Sequence, residues 1–178
     1  MPNRTNECKF KPLSIAVMTV SDTRTAANDT SGDALVKLLT EAGHTLAEKC
    51  IVPDDIYRIR ATVSQWIADD TINAVITTGG TGITGRDSTP EAVKVLLDKE
   101  IEGFGEVFRA VSYEEIGTST IASRAVSGVA NATFIFCLPG STGACRTGWG
   151  KIISHQLDYR TRPCNLVELM PRVLEKGK

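Results

Sequence analysis

Asn73-Ala74-Val75-Ile76-Thr77-Thr78-Gly79-Gly80-Thr81-Gly82-Ile83-Thr84-Gly85-Arg86-Asp87 is the stretch on which the fold class turns. Its first six residues are a short, β-branched apolar run and read as a buried strand. A glycine-rich turn follows with no spacer. In open α/β sheets, ligands bind outside the carboxyl ends of the strands, where such turns lie. Glycine lets the backbone come close to a phosphate, and successive amide N–H groups form an anion-binding concavity. The same glycines also suit a plain tight turn at positive φ. Four glycines within residues 79–85, interleaved with threonine hydroxyls, favour the binding role.

Two generic phosphate motifs fit this loop badly. Gly80-x-Gly82-x-x-Gly85 matches the dinucleotide pattern, but that pattern opens a helix directly, and here the helix signals begin only at Thr89-Pro90. Gly80 and Gly85 are spaced as in a P-loop, yet Arg86-Asp87 stand where that motif needs Lys and Ser or Thr. What remains is a glycine-threonine cradle, Thr78, Gly79, Gly80, Thr81 and Gly82, followed closely by the carboxylate of Asp87.

Outward from the loop, Leu13–Val20 reads as a second buried strand and Thr45–Val52 as a weaker third. Leu35, Leu38, Leu39 and Ala42 recur at helical spacing between them, with Ser31 as the expected N-cap and Gly43 as the stop. Ile56, Ile59, Val63, Trp66 and Ile67 mark a second amphipathic helix. This alternation is the βαβ signature of an α/β protein whose mostly parallel sheet is covered on both faces. In the second half, Pro90 sits in the first turn of a helix capped by Thr89, with Val93, Leu96 and Leu97 on one face. Phe104, Val107, Phe108 and Val111 define another helical stripe. Arg124–Val129 and Thr133–Leu138 flank Ala130-Asn131-Ala132 as an expected hairpin, which would make part of the sheet antiparallel. Trp149, Ile152, Ile153 and Leu157 mark a helix after Pro139-Gly140-Ser141. The chain contains no repeat and no linker, so one domain is expected over residues 13–170, with a loose arm at 1–12 and a tail at 171–178.

Composition removes several function classes. Twenty basic residues face twenty-one acidic ones, a net charge of −1, so no basic excess exists to drive binding to a nucleic-acid backbone. No apolar run approaches the roughly 20 residues of a membrane span, and the polar first dozen residues carry no apolar signal-peptide core. The five cysteines, Cys8, Cys50, Cys137, Cys145 and Cys164, include no C-x-x-C pair, and the only histidines are His44 and His155. That inventory makes no recognised zinc site and reads as free thiols in a reducing cytoplasm.

Other loops at strand ends supply further candidates. Asp54 follows Pro53 just after the 45–52 strand, hence on the same expected edge of the sheet as the cradle. Magnesium is typically held by one or two carboxylates together with substrate phosphate oxygens, and Asp54 with Asp87 suits that arrangement. Asp54 equally suits capping of the helix that contains Ile56, and both roles stay open here. Ser21-Asp22 ends the first strand, Asp29-Thr30-Ser31-Gly32 opens the next helix, and Leu138-Pro139-Gly140-Ser141-Thr142 joins a strand to a helix. Free N–H groups at helix N-termini attract phosphate. Ser21, Asp22, Ser31, Pro139, Gly140 and Ser141 therefore join Thr78–Gly82 as candidate substrate- or nucleotide-binding residues. Arg86 is available to neutralise phosphate charge, although an isolated arginine is more often simply solvated.

Thr77-Thr78-Gly79-Gly80-Thr81-Gly82 with Asp87 resembles the signature of the molybdopterin-binding superfamily, which includes the MogA and MoaB proteins, the molybdenum-inserting enzymes and the CinA-like proteins. Asp29-Thr30-Ser31-Gly32, Glu102–Arg109, Glu114–Ser119, Ser123-Arg124-Ala125-Val126, Leu138–Ser141 and Arg160–Asn165 narrow the resemblance to the MoaB family, from about Leu13 to Asn165. It implies a three-layer α/β/α sandwich, a cytoplasmic homo-oligomer (trimer or hexamer), and molybdopterin as ligand alongside other molybdenum-cofactor enzymes. In MogA-type members, magnesium-dependent transfer of AMP from ATP to molybdopterin uses an aspartate at each position matching Asp54 and Asp87. The resemblance thus implies Asp54 and Asp87 as catalytic, magnesium-holding residues, with ATP as co-substrate. Some bacterial MoaB proteins lack these acids, whereas this chain retains both. A binding or delivery protein that does not adenylylate molybdopterin is the alternative reading.

Overall fold

The computed structural model describes residues 9–175. The strands are β1 (Ser14–Val20), β2 (Thr45–Val52), β3 (Ala74–Thr78), β4 (Lys99–Glu100), β5 (Val126–Ala130) and β6 (Thr133–Leu138). They form one sheet in the order β2-β1-β3-β6-β5-β4. The first four in that order are parallel neighbours, and β5 and β4 add an antiparallel edge. The chain leaves β1 for β2 on one side and returns to β3 on the other. Such a reversal opens a crevice between the carboxyl ends of the two strands that flank it.

Alternating side chains of the central strands divide the core in two. Ile15, Val17 and Ile76 pack on one face with Leu35 and Leu39 of α1 (Thr30–Glu41) and Phe104 and Phe108 of α4 (Glu102–Ile116). Ala16, Met18 and Val75 point the other way, onto Ile59, Val63 and Trp66 of α2 (Ile56–Ala68) and Val93 of α3 (Thr89–Lys94). The result is the expected three-layer sandwich. The four leading side chains of the first face, Leu35, Leu39, Phe104 and Phe108, each bury on the order of 2–3 kcal/mol of apolar surface. The last helical region runs as α5 (Thr142–Gly148), a π-helical turn over Trp149–Ile153, and α6 (Ser154–Gln156). A short α7 (Leu166–Leu169) follows.

The expected hairpin is β5–β6, closed by Asn131 and Ala132 at φ 46 and 65. Two consecutive positive-φ residues match the right-handed twist of the strands they join. Two cap assignments from sequence move by one or two residues, and the capping role left open for Asp54 falls to its neighbour. Asp29 rather than Ser31 caps α1, accepting from Gly32 N–H at 3.0 Å. Ser88 rather than Thr89 precedes α3, and the Thr89 hydroxyl instead donates to Gly79 O at 2.8 Å. Asp55 rather than Asp54 caps α2, accepting from the N–H groups of Tyr57 and Arg58. The α4 stripe also shifts: Phe104, Gly105, Phe108 and Ser112 are buried while Val107 faces out, because the helix lies flat on the sheet over a narrower arc. Of the N-terminal arm, residues 1–8 lie outside the described part, as do 176–178 of the tail. Phe10 and Lys11 are laid on the body, Phe10 against His44 and Lys11 over the Tyr159 ring.

Candidate functional site

The crevice between β1 and β3 holds a cleft of about 400 Å³. That volume lies within the usual range for small-molecule pockets, roughly 300–1,000 Å³. Of the residues singled out by sequence, Ser21, Ser31, Asp54, Thr78, Gly79, Gly80, Thr81, Gly82, Asp87, Pro139 and Gly140 all line it. Two stand behind the wall. Asp22 accepts from Asp54 N–H at 3.1 Å and pairs with Arg86. Ser141 caps α5 by accepting from Ala144 N–H at 3.1 Å.

The loop after β3 is locked in shape at every turn. Gly79 and Gly80 sit at φ 104 and 67, and a Cβ would collide with Val20 O at the first and with the Thr89 hydroxyl at the second. Gly79 N–H donates to Leu138 O at 3.0 Å, and the Thr78 hydroxyl donates to Pro139 O at 3.0 Å. The β3 and β6 loops are therefore joined into one wall. Gly80 O and Thr81 O are both taken, by Thr89 N–H and Arg124 N–H. In contrast, the N–H groups of Gly80, Thr81, Gly140 and Ser141 have no hydrogen-bond acceptor among the described residues. Polar backbone groups at a lined cleft need such acceptors, and a phosphate oxygen is one that fits.

Two carboxylates face this cradle. A Cβ added at Gly80 would lie 3.2 Å from Asp54 Oδ1, and one at Gly82 would lie 2.7 Å from Asp87 Oδ2, so both acids lean on the loop. Their electrostatic situations differ. The Thr84 hydroxyl and N–H donate to Asp87 at 2.6 and 2.9 Å, with Gly82 N–H and Arg124 adding to them, and this holds its carboxyl below the usual value. Burial pushes the Asp54 carboxyl up, and the nearby charges of Asp22 and Asp87 push it further. The Asp22 N–H and Arg86 offset this only in part. Because Asp55 does the capping, the Asp54 side chain is free to serve the cleft.

Among the described residues no group of three or more His, Cys, Asp or Glu is arranged to hold a metal ion. Two carboxylates beside a glycine-threonine cradle nevertheless fit magnesium. That ion takes oxygen donors, keeps several waters and shares its shell with substrate phosphates. The four described cysteines, Cys50, Cys137, Cys145 and Cys164, are free thiols. Burial raises the thiol pKa of Cys50 to about 11, Cys137 to about 12 and Cys145 to about 11, so these three are neutral and unreactive near pH 7.

Sequence reading missed part of the site. Thr19, Val20, Arg24, Ala122 and Ser123 also line the cleft. Beneath the Thr19–Ser31 wall, Asp29 is fully buried, accepts from the Thr19 hydroxyl, and pairs with Lys49 at 2.9 Å. Its position three residues before Gly32 is a capping signal that was available in the sequence. Arg86 is not a lone solvated cation: its Nε donates to Asp22 at 2.9 Å and its Nη2 meets the same oxygen.

The family profile described as "Probable molybdopterin binding domain" matches residues 16–159. Molybdenum cofactor biosynthesis protein B of Escherichia coli (strain K12) is 58% identical over 157 residues, covering 88% of this chain and 92% of that protein. A crystal structure of a molybdenum cofactor biosynthesis protein B superposes with a TM-score of 0.80 at 47% identity, covering 83% and 92% of the two chains. The tungsten cofactor synthesizing protein MoaB from Pyrococcus furiosus superposes with a TM-score of 0.74 at 39% identity, covering 82% and 92%.

Proposed function

The chain belongs to the molybdenum cofactor biosynthesis protein B family, with a molybdopterin-binding domain as its body, and we propose that it transfers AMP from magnesium-ATP to the terminal phosphate of molybdopterin, releasing pyrophosphate. The observation that carries this reading is one cleft with two opposed chemistries. Unpartnered N–H groups of the β3 and β6 loops face Asp54 and Asp87, which are placed for a hard cation.

An oxygen of the molybdopterin phosphate attacks the α-phosphorus of ATP. As that P–O bond forms, the α–β bridging P–O bond breaks, and its electron pair leaves with pyrophosphate. A phosphate monoester has a second pKa of about 6, so the nucleophile is already ionised at neutral pH. No general base is required, and neither His44 nor His155 lines the cleft. The protein's task is positioning and charge neutralisation, as in phosphoryl transfer generally. The Gly80, Thr81 and Gly140 N–H groups hold phosphate oxygens from the wall that the joined β3 and β6 loops form. Arg24 lines the cleft and adds positive charge. Asp54 and Asp87 would hold magnesium, which when bound supplies charge neutralisation to the phosphates. Thr84 and Gly82 fix the Asp87 carboxylate so that it need not reorganise when the ligand arrives.

The same reading places the protein in the cytoplasm as a homo-oligomer, trimer or hexamer, working with other molybdenum-cofactor enzymes. No helix among the described residues is long and apolar enough to cross a membrane. Val107, Tyr113, Ile116 and Ile121 are exposed along α4 and the 3₁₀ turn after it, an apolar strip suited to subunit contact.

The test is incubation of purified protein with molybdopterin, ATP and magnesium, followed by chromatography for adenylylated molybdopterin. Product that disappears with EDTA is the expected result. Molybdopterin binding without product would leave a delivery protein and overturn the transferase reading.

A further inference from the structure

We propose that Arg124 is a positioning residue that sets the magnesium affinity of the cleft by clamping the loop that carries Asp87. The proposal rests on the magnesium-phosphate reading above, and it concerns a residue that lies outside the cleft lining. Arg124 starts 37 residues after Asp87 in the chain, yet it makes four bonds to this one region. Its backbone N–H donates to Thr81 O at 3.1 Å. Its Nε donates to Gly82 O at 2.7 Å and its Nη2 to Asp87 O at 3.0 Å. Its Nη1 pairs with Glu91 on α3.

These contacts pin both ends of the segment between the cradle and the acid. Gly82 turns its N–H to the Asp87 carboxylate while its O is held by the arginine. Asp87 likewise gives its O to Arg124 and its carboxylate to Thr84 and Gly82. The guanidinium therefore fixes the backbone from behind while the cradle fixes the carboxylate from in front. On its far side Arg124 lines a second cleft, of about 540 Å³, so the side chain is held by its bonds rather than by close packing. Only a planar fork with several donors can reach two carbonyls and a carboxylate at once; a lysine ammonium is a point charge and loses at least part of the set.

Groups that orient a metal ligand typically change affinity 10–100-fold when removed. The experiment titrates Mn²⁺, with inorganic pyrophosphate present, into the full-length protein and reads bound Mn²⁺ by electron paramagnetic resonance. Arg124→Lys is expected to weaken Mn²⁺ binding about 10–100-fold. Glu91→Gln, which keeps an acceptor for one arm, is expected to weaken it less than about fivefold, as for a partly exposed ion pair. Arg124→Ala should regain tight binding when guanidinium is added at a low, non-denaturing concentration, through the second cleft. A role in folding alone would lower the thermal midpoint without moving the Mn²⁺ affinity of the folded fraction and without rescue. Folded Arg124→Lys with unchanged affinity overturns the proposal. Failure of the unmodified protein to bind Mn²⁺ with pyrophosphate overturns instead the magnesium-phosphate reading it rests on.

Discussion

Asp29 and Asp54 stand beneath and beside the same cleft but are opposite in electrostatic treatment. Asp29 is wholly buried, and burial raises its carboxyl pKa; the Lys49 ammonium, Gly32 N–H and Thr19 hydroxyl outweigh that, so it lies below its ordinary value. Asp54 is only half-buried, yet burial and the charges of Asp22 and Asp87 leave it above its ordinary value. The deeper acid is the satisfied one. A buried charge with every partner in place shapes the Thr19–Ser31 wall, while a charge left crowded at the surface is ready for a cation from solution. The difference separates scaffold from site more sharply than burial does.

The comparison can be broken from the scaffold side first. Lys49→Met leaves Asp29 buried without its counter-ion, and such a loss costs about 3–5 kcal/mol of stability. Urea unfolding should show it, and a stability change under about 1 kcal/mol would mean that Asp29 is held by its neutral donors alone. From the site side, Asp87→Asn should cut EDTA-sensitive turnover at least about a hundredfold, comparable to deleting one electrostatic contact in a transition state. Pterin binding, followed by fluorescence quenching, should survive that change. Asp54→Asn sharpens the contrast, because it should abolish turnover while raising the thermal midpoint in magnesium-free buffer by up to about 4 °C. A lowered midpoint would show that the Asp54 carboxylate contributes to the fold.

The pH dependence of that gain carries a sign. A carboxyl whose folded pKa is raised favours the folded state fully below its unfolded pKa, about 3.9, and the contribution is lost as pH rises through the folded value. The midpoint difference between Asp54→Asn and the unmodified protein should thus be near zero below about pH 4 and reach its full size by neutrality. For Asp29, held below its ordinary value, the sense reverses: its stabilisation is present above the unfolded pKa and is lost as pH falls through the folded one.

The parts of this architecture that are local in sequence were legible there. β-branched runs mark β1, β2 and β3 within a residue of their bounds, and the glycine-threonine loop marks the cleft. The loops at the ends of β1, β2, β3 and β6 were read as candidates because they end strands that a βαβ alternation makes parallel. Two caps were misplaced by a residue or two because Asp29 competes with Ser31 and Ser88 with Thr89, and the capping role of Asp54 stayed open because Asp55 suits it equally; each pair contains acceptable cap types. What could not be read was long-range pairing. Lys49 reaches Asp29 from a different strand, Arg86 reaches Asp22 across 64 residues, and Arg124 reaches Gly82 across 42. Nothing in the period of either segment announces those partners, since each is set by the sheet order β2-β1-β3-β6-β5.

The most direct test of the account is a calorimetric titration of a non-cleavable α,β-methylene ATP analogue at neutral pH, with and without magnesium, into the unmodified protein and into Asp54→Asn and Asp87→Asn. The account predicts that magnesium tightens nucleotide binding in the unmodified protein and that either substitution removes this enhancement. Equal affinity with and without magnesium in all three proteins would contradict it, and would leave the two aspartates without a role as cation ligands.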